Sequence, residues 1–162
     1  MKNLILIRHA KSSLENIWRD FDRPLIDIGI ERAIKVAKIS KEFIEKDSLI
    51  LVSSAKRATD TAKIFFEHWD IDYNQIFYMD SLYTFHLKSL EEIVKATSNS
   101  YNNVIVFGHN SAITDFVNKF GTIYFENVPT SGLISIKFNC NSWKEIKEGK
   151  TDKIIFPKKI KE

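Results

Sequence analysis

Asn3-Leu4-Ile5-Leu6-Ile7-Arg8-His9-Ala10-Lys11-Ser12 decides how the rest of the chain is read. Four consecutive aliphatics run straight into a cation and an imidazole. An apolar run of this length, bounded by polar residues, suits a strand buried on both faces, the usual state of a parallel strand in an α/β protein. Arg8 and His9 then stand where the strand leaves the core. In open α/β sheets, ligands bind beyond the carboxyl ends of the strands.

The same figure recurs twice downstream. Leu49-Ile50-Leu51-Val52 ends in Ser53-Ser54 and then Ala55-Lys56-Arg57. The helix after it carries Ala58, Ala62, Phe65 and Trp69 on one stripe. Arg57 therefore falls in the loop or first helical turn past a strand end, where free N–H groups and the positive dipole end favour anions. Val104-Ile105-Val106-Phe107 ends in Gly108-His109-Asn110-Ser111, with Ser111 expected to cap a helix bearing Ile113, Phe116, Val117 and Phe120.

The intervening segments complete an alternating pattern. Residues 11–26 read as a surface loop whose Asp20-Phe21-Asp22-Arg23-Pro24-Leu25 segment sets charges beside the first strand exit. A helix is expected over residues 29–45, with Asp27 as its N-cap and Ala33, Val36, Ala37, Ser40, Phe43 and Ile44 inward. Ile76-Phe77-Tyr78-Met79 reads as a third strand, residues 80–85 as a loop, and residues 87–96 as a helix. Beyond Gly132, residues 133–138 and 143–146 are expected to form a terminal hairpin, and residues 158–162 a frayed charged tail. These elements predict a three-layer α/β/α sandwich on a mostly parallel sheet, with an antiparallel edge strand or hairpin, in one domain over residues 1–162.

Composition narrows the function. A formal net charge of +3 over 162 residues, with lysines scattered over helix surfaces, does not point to nucleic acid and suits an anionic substrate. The single cysteine, Cys140, excludes an intrachain disulfide and fits a reducing compartment. The N-terminal apolar run is too short for a signal sequence, and no stretch reaches the roughly 20 apolar residues of a membrane span. A soluble cytoplasmic protein is expected, with no nucleic-acid or membrane partner.

If the three strands are parallel neighbours, two arginines and two histidines converge on one sheet edge. Guanidiniums are permanently charged forks that match phosphate oxygens. One histidine can act as nucleophile and another can donate a proton or hydrogen bond. Phosphoryl transfer spreads charge over the equatorial oxygens, so positioned cationic donors carry much of its catalysis. Two arginines and two histidines without a carboxylate cluster suggest phosphate chemistry that uses no metal or other cofactor. No histidine pair has HxxxH or HxH spacing.

These motifs resemble the histidine phosphatase (phosphoglycerate-mutase-like) superfamily. Leu6-Ile7-Arg8-His9-Ala10-Lys11-Ser12-Ser13 looks like its "RHG/RHA" signature. Residues 53–62 are similar to its "SPALRARQTA" stretch, with Arg57 on the phosphate-binding arginine, and Val106-Phe107-Gly108-His109-Asn110-Ser111 to its "VGHNP" stretch. The short chain, Ala10, Asp22-Arg23-Pro24-Leu25 and Gly29 resemble the SixA-like phosphohistidine phosphatase branch. The resemblance covers residues 4–120.

It implies that His9 attacks phosphorus and becomes a phosphohistidine that water hydrolyses, while Arg8, Arg57 and His109 hold the phosphoryl group. His9 must be neutral to attack, with its other ring nitrogen held by a partner, for which a backbone carbonyl is the natural choice. Ser12, Ser53, Asn110 and His86 are the candidates for further substrate contacts. Ser12 and Ser53 serve equally well as turn or cap residues, and His86 as a helix-start residue. His68, between Glu67 and Trp69, reads as a helix-end histidine.

Two departures from the superfamily pattern matter. Leu82-Tyr83 is followed by Thr84-Phe85-His86, where many members carry a Glu or Asp acid, so His86 or Asp22 is left to substitute. A phosphoramidate leaves readily once its nitrogen is protonated, so the missing acid favours phosphohistidine in a protein over small phosphate monoesters. Ser111 replaces a proline and can cap the helix that proline would start. The alternatives are a phosphatase of small-molecule esters and a phosphate-binding module without turnover.

Overall fold

The computed structural model describes residues 1–160. Its centre is a six-stranded sheet built from β1 (Lys2–Arg8), β2 (Leu49–Ser53), β3 (Ile76–Met79), β4 (Asn103–Gly108), β5 (Leu133–Phe138) and β6 (Lys150–Ile155). The spatial order is β3-β2-β4-β1-β5-β6. The β3-β2-β4-β1 ladder is parallel, and β5 runs antiparallel to both β1 and β6. This is the expected mostly parallel sheet with a hairpin at one edge.

Side-chain alternation divides the core in two, because successive residues of a strand face opposite sides of the sheet. Ile7, Ile50, Val52, Ile105 and Phe107 face one side. There they pack on Ala33, Val36 and Ala37 of α1 (Asp27–Ser40) and on Ala62, Phe65 and Phe66 of α2 (Lys56–Phe66). Leu4, Leu6, Leu51, Val104 and Val106 face the other. Their partners are Leu90 and Val94 of α3 (Leu87–Lys95) and Ile113, Phe116 and Val117 of α4 (Ala112–Phe120). With helices on both faces, the central residues of β1, β2 and β4 must be apolar on both sides, which explains their aliphatic runs.

Four expectations are corrected. The first helix ends at Ser40 and continues only as a 3-10 turn, Lys41–Phe43. Asp27 is its first residue rather than its cap, which is Ile26 and has no side-chain bond. Ser111 occupies the N-cap of α4 without a side-chain hydrogen bond, and the capping is done by Asn110, whose Oδ1 accepts from the Thr114 amide at 3.2 Å.

The second arm of the hairpin is not 143–146. Trp143–Glu145 is a 3-10 turn that buries Trp143 and Ile146 three positions apart, with the Trp143 indole donating to the Tyr101 carbonyl at 2.8 Å. The true partner of β5 is the charged β6, an edge strand whose Lys150, Asp152 and Lys153 are exposed. Of the expected tail, Pro157–Lys159 forms a 3-10 turn, while residues 161–162 lie outside the described residues. No described helix is long and apolar enough to cross a membrane.

Candidate active site

Register alone brings the two histidines together. β1 and β4 are parallel neighbours with Arg8 opposite Gly108, so His9 and His109 leave the sheet side by side. Their ring centroids are 5.3 Å apart. The chain then turns to α1 on one face after β1 and to α4 on the other after β4, which opens a crevice at the carboxyl ends of the strands. β2, on the far side of β4, delivers Ser53 and the first turn of α2, including Arg57.

Each ring has a defined partner. His9 Nδ1 lies 2.7 Å from the Ala10 carbonyl oxygen. A carbonyl only accepts, so the proton is on Nδ1 and the lone pair on Nε2. Arg57 Nε donates to that Nε2 at 3.3 Å. Burial pushes the His9 pKa well below its ordinary value, against the pull of the Ala10 hydrogen bond, and His109, Arg57 and Arg8 lower it further. The ring is therefore neutral.

His109 Nε2 lies 2.8 Å from Ser53 Oγ. Ser53 Oγ also accepts from the Ala55 amide at 3.3 Å; when its hydroxyl hydrogen is given to Nε2, the His109 proton stands on Nδ1. That Nδ1 is buried without a hydrogen-bond partner. Burial, followed by the Arg57 charge, lowers the His109 pKa to about 3.

The two arginines differ in their anchoring. Arg57 is 1% exposed. Its Nη1 donates to the Asp20 carbonyl at 2.5 Å and its Nη2 to Asp20 Oδ2 at 3.1 Å. Arg8 Nη1 donates to the Val128 carbonyl at 2.9 Å, while its Nε is buried without a partner. Burial and then the neighbouring Arg57 lower its pKa. Unpartnered buried donors are costly unless a ligand completes them. Arg8 Nε is such a donor, and His109 Nδ1 is the second buried ring or guanidinium nitrogen of the cluster without a partner.

The structure thus brings Arg8, His9, Arg57 and His109 into one cluster. The supporting candidates have different parts. Ser53 orients His109. Asn110 ties α4 to residues 127 and 128 through Nδ2, at 2.8 Å to Asn127 Oδ1 and 3.3 Å to the Val128 carbonyl. Ser12 Oγ accepts from Arg23 Nη1 at 2.9 Å, which uses it as a loop anchor. His86 is exposed at the N-cap of α3 and forms no hydrogen bond or ring contact with the cluster; its neighbour Phe85 stacks edge-on to His109 at 5.6 Å instead. Asp22 likewise faces outward in an ion pair with Arg19.

A model of the histidine phosphatase superfamily, branch 1, matches residues 4–82, which hold the first histidine, both arginines and the loop between them. Over residues 4–82 the chain matches the histidine phosphatase superfamily.

An Arabidopsis thaliana chloroplastic protein, itself uncharacterised, is 34% identical over 120 residues, which is 67% of this chain and 54% of that protein. The chain thus spans about half the length of that relative. Among solved structures, the protein assigned as phosphohistidine phosphatase SixA in Agrobacterium tumefaciens superposes with a TM-score of 0.74 at 26% identity, covering 85% of this chain and 92% of that one. The protein histidine phosphatase SixA complexed with tungstate shares the fold over 98% of this chain and 99% of its own, with a TM-score of 0.82 at 18% identity.

Within this cluster, three participants are not evident from sequence motifs. Asp20 sits on Arg57. Tyr83 donates its hydroxyl to Asp20 Oδ2, lies 5.8 Å from the Arg57 guanidinium and packs edge-on to His109 at 5.4 Å. Thr61 Oγ1 accepts from the Ala10 amide at 2.8 Å and donates to the Arg57 carbonyl at 2.6 Å, locking the β1 exit to the first turn of α2. Its position four residues after Arg57 is the only sequence hint, since threonine in a helix readily bonds the i−4 carbonyl.

Proposed function

We propose that the protein is a phosphatase that works through a phosphohistidine on His9, without a metal, and that its substrate is phosphohistidine in a protein. The state of the His9 ring carries this reading: Nδ1 is bound to the Ala10 carbonyl at 2.7 Å, so a neutral ring presents its Nε2 lone pair to the cationic cluster. In the first step Nε2 forms an N–P bond as the bond from phosphorus to the leaving group breaks. Arg57 Nε turns from the ring to a phosphoryl oxygen, and Arg8 Nε and His109 Nδ1 supply further donors. The ring becomes an imidazolium whose proton stays on Nδ1, donated to the Ala10 carbonyl. Water then attacks phosphorus, the N–P bond breaks, orthophosphate leaves and the lone pair returns to His9.

The substrate class follows from protonation. A phosphorylated imidazole takes its proton on the ring nitrogen remote from phosphorus and departs as a neutral imidazole, so it needs no acid at the bridging atom. An alkyl ester departs as an alkoxide and does need one. Asp20 is the carboxyl group at the site. Burial raises its pKa, but hydrogen bonds from Tyr83 and Arg57 and the charges of Arg57 and Arg23 outweigh that and hold it below the ordinary carboxylate value. It stays ionised and makes a poor acid. A single free thiol, Cys140, fits action in the reducing cytoplasm.

The test is a substrate panel of phosphohistidine peptide, an aryl phosphate and sugar phosphates, run on wild type and His9→Ala. The peptide is expected to give the highest kcat/KM. Wild type is expected to carry acid-labile phosphate, and His9→Ala to lose turnover by about 10³-fold or more, as for other essential nucleophiles. Full turnover by His9→Ala would sink the mechanism. Faster hydrolysis of sugar phosphates would move the substrate to small esters and leave the His9 chemistry in place.

A further inference from the structure

We infer that Asp20 is a built-in competitor for the phosphate pocket: its carboxylate holds the Arg57 fork until a phosphoryl group displaces it, and so sets how weakly free phosphate binds. The inference rests on Arg57 being a phosphate clamp, as proposed above.

The geometry is that of an anion already in place. Arg57 is 1% exposed, while the Asp20 side chain is 49% exposed, so the carboxylate lies between solvent and the buried fork. Arg57 Nη2 reaches Asp20 Oδ2 at 3.1 Å, and Tyr83 donates to the same oxygen. Asp20 Oδ1 accepts from Arg23 Nε and Nη2, both at 3.2 Å. Arg23 is in turn fixed to Ser12 Oγ at 2.9 Å and the Ser13 carbonyl at 3.3 Å. The strap is therefore anchored at residues 12, 13 and 23 and closed by residue 20.

The Asp20 carbonyl on Arg57 Nη1 and Phe21 against Tyr83 hold the backbone at the closing end, while the stretch between residues 13 and 20 is loosely held. Leu14 and Ile17 are 82% and 77% exposed, so they add little burial to resist opening. A released Asp20 keeps Arg23 as its counter-ion. A phosphoryl group brings three oxygens and up to two charges to a guanidinium that the carboxylate engages through Oδ2 alone, with one charge. Substrate tethered by the rest of a protein wins this exchange; orthophosphate, with no tether, wins it less often and departs.

Occupancy fixes the expected size. If Asp20 holds the fork nine-tenths of the time, the apparent affinity for phosphate falls about tenfold, since only the open fraction binds. Calorimetric titration of orthophosphate into the full chain should show about tenfold tighter binding for Asp20→Ala. Asp20→Asn, which keeps the shape but not the charge, should change in the same direction. Tyr83→Phe, which removes one hydrogen bond to the carboxylate, should give a smaller gain. With phosphohistidine peptide, Asp20→Ala should lower KM, strengthen product inhibition by orthophosphate and reduce kcat as release slows.

Unchanged or weaker phosphate binding in Asp20→Ala and Asp20→Asn, with wild-type melting curves, overturns the inference, because a strap that merely supports the pocket loses phosphate when it is cut. Absence of phosphate binding in wild type and all variants removes both the clamp and its competitor. Tighter phosphate in Asp20→Ala alongside full turnover by His9→Ala leaves the competitor standing and rejects the nucleophile.

Discussion

Replacing Gly29 by alanine sets two effects of opposite sign against each other. Gly29 is the third residue of α1, and alanine in a helix gains about 0.5–1 kcal/mol over glycine from chain entropy. Here, however, the new Cβ would be driven into the Lys11 carbonyl oxygen and stand 2.9 Å from the Lys11 nitrogen and 3.0 Å from its carbonyl carbon. All three obstacles are backbone atoms, which cannot swing aside. Restoring ordinary contact requires the two segments to part by roughly 0.5 Å or more. Overpacking of this kind costs about 1–3 kcal/mol, and a backbone obstacle belongs to the upper part of that range. The clash therefore wins, with a net loss of about 2 kcal/mol and, for a chain of this size, a Tm lowered by about 4–8 °C. Lys11 lies two residues past His9 and one past the carbonyl that holds its ring, so the displacement reaches the nucleophile. A shift of half an ångström corresponds to about a tenfold loss in kcat/KM, given that 1 Å can cost a hundredfold. Denaturant melts and steady-state kinetics on Gly29→Ala read both quantities. A variant as stable as wild type with undiminished kcat/KM refutes the reasoning, because helix propensity would then have outweighed the clash.

Two further outcomes are expected. Ser53→Ala removes the 2.8 Å partner of His109 Nε2, frees its tautomer and should lower kcat about tenfold with little change in KM; an equal rise in KM would instead place Ser53 on the substrate. Stability should fall as pH drops from 6.5 toward 3. The His109 pKa is about 3 when folded and near 6.5 when unfolded, so within that window the unfolded chain binds the extra proton and gains by about 1.4 kcal/mol per pH unit at most. His9, also lowered, acts in the same direction. Denaturation midpoints between pH 4 and 7 should slope less in His109→Gln, and an unaltered slope would show that the ring is not held neutral.

What could be read from sequence, and what could not, has a physical pattern. β1, β2 and β4 are covered on both faces, so their central residues must all be apolar and the runs announce themselves. β6 has no such signal, because an edge strand can be written as Lys150-Thr151-Asp152-Lys153 and still pair. Trp143 and Ile146 mimicked a strand because a 3-10 turn also brings apolar residues to one side. At the site, Arg8, His9, Arg57 and His109 were legible because each follows a strand end, and parallel register then does the assembling. Asp20 and Tyr83 were not, since they meet across 63 residues through loops whose path no local pattern dictates. The missing acid was sought at His86 and Asp22, and both point away from the cluster while their neighbours Phe85 and Tyr83, and Asp20, approach it.

The position of β1 has a consequence for how the protein comes into being. Its two sheet partners, β4 and β5, lie about a hundred residues or more downstream, as the pairings of Asn3 with Asn103 and of Ile7 with Leu133 show. β1 therefore leaves the ribosome well before either partner, and its hydrogen bonds are completed late. At about 5–20 residues per second, its apolar run waits on the order of 5–20 s for β4 to be synthesised. During that interval four aliphatics are exposed on the nascent chain, a natural target for chaperones that hold unpaired strands. His9 and His109 meet only with that late event, so the cluster is not assembled before the sheet is nearly whole.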